Sequence, residues 1–322
     1  MSRLCRIKAG ITIGDPSGIG PAVTVKAINR LAGKADFVVI GDCGVLSKVP
    51  GFTGLLKGKV RIIDLNNVAI NRFRFGKIKA EYGRASIEYL DKSLELLKNK
   101  EIECLITCPI SKDAVNRAGF KISGHTEYFI KKTKSASAEM MLLNKYLRFT
   151  LATRHLSLKD VPDSLSIESI CRAALVTHQS LKEIFRIPYP RIAICALNPH
   201  GSDNGLLGCE EEKIIKPALA RIKKKINGVC DGPFPADTAI QMAFNREYDA
   251  VIAMYHDQAL IPLKVTGADS GVNITLGLDF IRTSPLHGTA FDIAGNNGTV
   301  DPGSLISAIE LALKCASSRK KT

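Results

Sequence analysis

His155, His200 and His256 each follow a short apolar run that reads as a buried strand, over 149–152, 192–197 and 250–254. In a parallel α/β sheet, strand ends of this kind open on the crevice where ligands bind. Three imidazoles delivered to one edge can hold a divalent metal and leave a coordination position open for a substrate oxygen. A single histidine would carry little weight, because most are ordinary hydrogen-bonding residues. Three in the same strand-end context point to a metal centre.

A second constellation lies toward the carboxy terminus. Tyr255-His-Asp-Gln-Ala-Leu-Ile-Pro-Leu-Lys264 is followed by Gly271-Val-Asn-Ile-Thr-Leu-Gly277 and Phe280-Ile-Arg-Thr-Ser284. Lys264, Asn273 and Arg282 therefore recur at nine-residue spacing among apolar residues and glycines. An arginine fork, a lysine point charge and an amide suit a phosphate or carboxylate. Upstream, Ser123-Gly-His-Thr-Glu127 precedes an apolar helical pattern. Thr126 or its neighbour can cap that helix, leaving His125 and Thr126 exposed at a start that attracts anions. An ordinary N-cap with Glu127 in the first turn accounts for the same residues.

The elements that must position these groups alternate. Strands are expected over 9–13, 37–40, 60–65, 104–107, 140–143, 149–152, 192–197 and 250–254. Helices are expected over 21–31, 81–99, 111–118, 126–134, 167–185, 210–225, 236–244 and 303–316. Repeated β-α units of this kind predict an α/β protein with a mostly parallel sheet. Between the first strand and helix lies Gly14-Asp-Pro-Ser-Gly-Ile-Gly20, with Pro21 suited to the first helical position. This turn is no dinucleotide fingerprint, because Val23 fills the place of the third glycine, and no Gly-Lys-Ser/Thr provides a Walker loop.

Composition sets the outer limits. At 322 residues the chain is long enough for two domains, and its 45% hydrophobic and 24% charged content is that of a globular protein. No apolar run reaches the ~18 residues of a membrane span, and the amino terminus runs into a strand without a signal-peptide core, so a cytoplasmic location is expected. The nine cysteines form no Cys-x-x-Cys pair; Cys104, Cys108, Cys171 and Cys195 fall in apolar stretches, as reduced thiols do. The net charge of +14 is spread along the chain without interleaved aromatics. It predicts a solvated basic surface favouring small anions rather than a nucleic-acid platform.

Eight motifs now stand in one order along nearly the whole chain. They are Gly14-Asp-Pro-Ser-Gly-Ile-Gly-Pro21, Gly124-His-Thr-Glu127, Asn198-Pro-His200, Pro235-Ala-Asp-Thr238, Tyr255-His-Asp-Gln258, Gly271-Val-Asn-Ile-Thr-Leu-Gly277, Ile281-Arg-Thr-Ser284 and His287-Gly-Thr-Ala290. Together they resemble the 4-hydroxythreonine-4-phosphate dehydrogenase family of pyridoxal phosphate biosynthesis. The opening turn and the stretch from His287 to Gly295 also resemble isocitrate and isopropylmalate dehydrogenases. The resemblance departs locally: Gly201-Ser-Asp203 stands where Ala-Gly-Glu is usual, and Asp15 and Ser17 replace common Glu and Ala.

What the resemblance implies is specific. The fold would be two α/β domains with mostly parallel sheets around a central cleft. Residues 1–122 and 262–322 would form the dinucleotide side, and 123–261 the metal and dimer side. His155, His200 and His256 match the family's metal ligands, with one zinc, magnesium or cobalt ion per site. His125, Thr126, Lys264, Asn273 and Arg282 match its substrate contacts, and Gly288 and Asp292 would lie on the loop that binds NAD or NADP. Asp237 and Asp257 are candidates for the proton acceptor, each equally readable as a carboxylate that orients a ligating imidazole.

The family's site sits at a homodimer interface, and neither nucleic acid nor membrane is an expected partner. The implied reaction is metal-dependent oxidation of 4-phosphooxy-L-threonine to 2-amino-3-oxo-4-phosphooxybutanoate, which loses CO2 to give 3-amino-2-oxopropyl phosphate. The nearest alternative is a sister dehydrogenase for 4-phospho-D-threonate or 4-phospho-erythronate. A more distant one is a non-catalytic anion- or nucleic-acid-binding protein.

Overall fold

The computed structural model describes residues 6–58, 60–122, 124–135, 138–296 and 300–320. Ser123, the first residue of one motif, lies outside them. Along the described chain run the strands β1 (Lys8–Thr12), β2 (Asp36–Gly41), β3 (Arg61–Asp64), β4 (Cys104–Thr107), β5 (Glu139–Leu143), β6 (Arg148–Leu151), β7 (Arg191–Cys195), β8 (Val229–Phe234), β9 (Ala250–Ala253), β10 (Val272–Leu276) and β11 (Ile281–Pro285). The chain divides into two compact units, one running to Lys134 and resuming at Leu278, the other spanning Ser135–Gly277.

In the first unit the strand order is β3-β2-β1-β4-β11, with every neighbouring pair parallel. Helices cover a parallel sheet, so its inner strands are buried on both faces rather than alternating. β4 is buried along its whole length, and β1 from its second residue onward. The helix Gly20–Arg30 begins with Pro21 in its first turn and buries Ala22, Val23, Val25 and Ile28. The helix Ala80–Lys98 buries Tyr82, Ser86, Tyr89, Ser93 and Leu96, which recur at four- and three-residue steps on one face.

In the second unit the order is β10-β5-β6-β9-β7-β8. β5 runs antiparallel to both β10 and β6, whereas β6, β9, β7 and β8 are parallel. The helix Ile167–Glu183 opens on a reciprocal cap in which Ser166 and Ser169 each bond the other's backbone N–H. The helix expected over 210–225 is instead two pieces, a π-turn at Glu211–Ile215 leading into Lys216–Lys223.

The fold is thus mixed α/β with mostly parallel strands. Among the described residues no helix is long and apolar enough to cross a membrane. Cys104, Cys108 and Cys195 are buried, and burial pushes each thiol up to about 12.

Candidate active site

In the first unit, polar residues gather at the carboxyl ends of β1, β4 and β11. The chain leaves β1 through a turn that only glycine can make at its first position. Gly14 has φ +71°, and a Cβ there would stand 2.3 Å from the Pro109 carbonyl oxygen. Asp15 follows, fully buried; its N–H donates to the Pro109 carbonyl, and its Oδ1 accepts from the Ser17 N–H at 2.9 Å. Its Oδ2 is buried with no hydrogen-bond partner, and burial raises the carboxyl to about 7. The sequence reading registered Asp15 only as a departure from the family pattern. Its burial makes it a candidate functional group, and a charged residue flanked by Gly and Pro carries no sequence signal of that burial.

Arg282 is the largest fully buried side chain among the described residues, 1% exposed. Its Nε and Nη2 donate to Thr107 Oγ1 at 3.1 and 2.6 Å, and its guanidinium carbon lies 5.9 Å from the Phe129 ring centre. Burial lowers its pKa to about 9, partly opposed by Glu127. His125 opens the helix His125–Thr133 four residues before Phe129, and its Nε2 is buried without a hydrogen-bond partner. Burial, reinforced by the Arg282 charge, holds His125 well below the ordinary histidine pKa, so the ring is neutral.

The predicted cap is not what starts this helix. The N-cap is Gly124, with no side-chain cap bond, and Thr126 is buried at 2% exposure rather than exposed. Its side chain packs inward because the helix presents its first turn to the core.

After β11 comes the loop that carries Gly288 and Asp292, both exposed. The opening turn is tied to it by a hydrogen bond from Ile19 N–H to the Thr289 carbonyl at 2.9 Å. In the same loop His287 leaves a buried Nε2 without a hydrogen-bond partner. An open backbone at Gly288 beside an unsatisfied ring nitrogen fits a ligand with polar edges, as a dinucleotide has.

In the second unit, the three histidines follow three adjacent parallel strands, β6, β9 and β7. His155 comes after β6, and His256 begins the helix His256–Gly267 directly after β9. Their ring centres are 5.4 Å apart. His256 Nδ1 lies 2.7 Å from Asp257 Oδ1. With the proton on Nδ1, donated to that carboxylate, the Nε2 lone pair is free for a ligand.

Next to His155 in sequence, Arg154 donates to buried Glu139 at 2.6 Å, and Arg172 donates to the same carboxylate at 2.5 Å. His200 sits in a left-handed turn, with φ between 47° and 69° from His200 to Asn204. Buried Glu211 anchors the way into that turn, taking the N–H groups of Leu197 and Asn198 at 2.9 and 2.8 Å.

The donors are of the right kind for a divalent metal and sit at one sheet edge. The structure brings His155 and His256 together but does not gather His200 with them: among the described residues no three His, Cys, Asp or Glu side chains are grouped to hold an ion. Asp237 is exposed in the first turn of the helix Ala236–Phe244. Lys264 is exposed on the helix His256–Gly267, while Asn273 on β10 is half-buried with its Oδ1 buried and unpartnered.

Residues 20–312 match the family model described as pyridoxal phosphate biosynthetic protein PdxA. The chain belongs to this family. A 4-hydroxythreonine-4-phosphate dehydrogenase from Sulfurihydrogenibium is 41% identical, over 98% of this chain and 100% of that one. A relative from Oceanobacillus iheyensis, provisionally named a D-threonate 4-phosphate dehydrogenase, is 37% identical over 95% of this chain and 97% of its own. The solved 4-hydroxythreonine-4-phosphate dehydrogenase of Klebsiella pneumoniae superposes with a TM-score of 0.87 at 33% identity, covering 98% of this chain and 99% of that one. Membership of this family makes the chain an enzyme, an NAD(P)-dependent dehydrogenase.

Proposed function

We propose that this enzyme oxidises 4-phosphooxy-L-threonine at C3, and that the keto acid so formed decarboxylates to 3-amino-2-oxopropyl phosphate. The observation that carries this reading is the buried Arg282 guanidinium beside neutral His125, a desolvated positive site suited to a phosphate. A nicotinamide held at Gly288 and Asp292 would supply a hydride acceptor, and a divalent ion held by His155, His200 and His256 would supply Lewis-acid polarisation of the hydroxyl.

The chain's own residues do the rest. Arg282, with His125, Thr126, Lys264 and Asn273, binds and orients the substrate remote from the reacting carbon. Asp257 holds the His256 tautomer, and Asp237 or Asp257 takes the hydroxyl proton as hydride leaves C3. In the resulting β-keto acid the C1–C2 bond breaks; its electron pair passes to C2, which is then protonated, and CO2 departs. Gly288 and Asp292 hold the dinucleotide. The reading includes a homodimer, as the family resemblance implies.

A second reading, oxidation of 4-phospho-D-threonate, is favoured by the name of the Oceanobacillus iheyensis relative. Purified protein mixed with NAD+ or NADP+ and each substrate, with and without added divalent metal, separates the two. Reduction with 4-phosphooxy-L-threonine supports the proposal. Reduction only with the amino-free acid moves the assignment to the second reading, and turnover of neither overturns both.

A further inference from the structure

Thr107 closes β4, fully buried, and two donors of the Arg282 fork converge on its single hydroxyl oxygen. The topology makes this contact unavoidable. Arg282 is level with Leu105 on the neighbouring strand, so it shares a sheet face with Thr107 two residues farther along. A buried guanidinium needs acceptors, and a carboxylate would satisfy it best. A carboxylate would also cancel its charge. A threonine hydroxyl fixes the plane of the fork and leaves the positive charge intact. Phe129 lies against the group and the nearby imidazole of His125 is neutral, while the Glu127 carboxylate favours the charged guanidinium. The side chain is thus held rigid, desolvated and cationic before any anion arrives, which lowers the ordering cost of binding.

We infer that Thr107 is a positioning residue for the substrate's anionic group, acting through Arg282. The inference rests on the phosphorylated-substrate reading above. Thr107→Val removes the acceptor at nearly constant shape, and Thr107→Ser keeps it.

The test is steady-state kinetics with 4-phosphooxy-L-threonine on both variants and on Arg282→Ala, with inorganic phosphate as competitive inhibitor and thermal melting as a check on folding. Thr107→Val should raise KM and the phosphate inhibition constant about tenfold while kcat stays within about twofold, and Thr107→Ser should restore both constants to near the parent values. An unchanged KM in Thr107→Val, beside a raised one in Arg282→Ala, overturns the inference and leaves the functional reading standing. A KM unchanged in both variants removes the anion site itself. A rise in Thr107→Ser equal to that in Thr107→Val would mean that the hydroxyl is not what matters.

Discussion

At the ends of β4 and β11, Thr107 and Arg282 are buried and already hydrogen-bonded, with neutral His125 beside them. At the ends of β6 and β7, His155 and His200 are exposed, and after β9 His256 is half-buried. The first arrangement is complete within the folded chain. The second supplies donors at one sheet edge, with two imidazoles paired at 5.4 Å and the third outside any three-membered group. Anchoring a fixed anionic group and gathering ligands round a cation place opposite demands on a protein. A desolvated charge must be held before binding, because its solvation is lost on folding. On the proposed reading, accessible imidazoles let an ion from solvent reach them.

The comparison can be broken at either region. His256→Ala should have the largest effect, lowering kcat by about two to four orders of magnitude, since a metal contributes several kcal/mol of charge stabilisation. KM for the phosphorylated substrate should move far less, and parallel kinetics on the two constants checks this. Asp15 tests the desolvated region through stability. Its folded pKa, about 7, is raised from 3.8, so the folded state holds the proton more tightly. Stability is full below pH about 4 and falls as pH rises through about 7. Asp15→Asn should remove that slope and stabilise the protein at pH 8 by on the order of a few kcal/mol, with little change at pH 4. Melting curves across that range decide it.

Arg282→Ala should raise KM steeply, by about one to two orders in kcat/KM, since a charge-assisted contact is worth ~1.5–3 kcal/mol. Asp257→Asn separates the two candidate proton acceptors: kcat at saturating metal should fall little if Asp237 takes the proton and collapse if Asp257 does. The substitution should weaken divalent-ion affinity by about 10- to 100-fold, read by calorimetry on metal-free protein.

Much of this was legible in the sequence, and the failures share a cause. The strands ahead of the three histidines and the opening strand-turn-helix follow from apolar runs ended by Gly, Pro or polar residues, and they occur within a residue or two of their expected bounds. The helix His256–Gly267 escaped because Pro262 stands inside it, and a proline at that depth ordinarily ends a helix. β8 contains Gly232 and Pro233, which read as a break. β10 and β11 stood out as motifs, and their glycines and polar residues hid them as strands. The left-handed run from His200 to Asn204 reads only as a loop, since Gly, Ser, Asp and Asn favour turns without specifying their hand. Arg282 was expected as an anion contact, but its complete burial was not, because an arginine's exposure depends on residues far away in sequence, here Thr107 and Phe129.

The most direct test of the contrast is to titrate chelator-treated, metal-free protein with 4-phosphooxy-L-threonine by calorimetry while NAD(P)H formation is followed in the same preparation. The account predicts that binding persists without metal and is lost in Arg282→Ala, while turnover is absent until a divalent ion is restored. Full turnover in the metal-free protein, or loss of substrate binding on removing the metal alone, would contradict it.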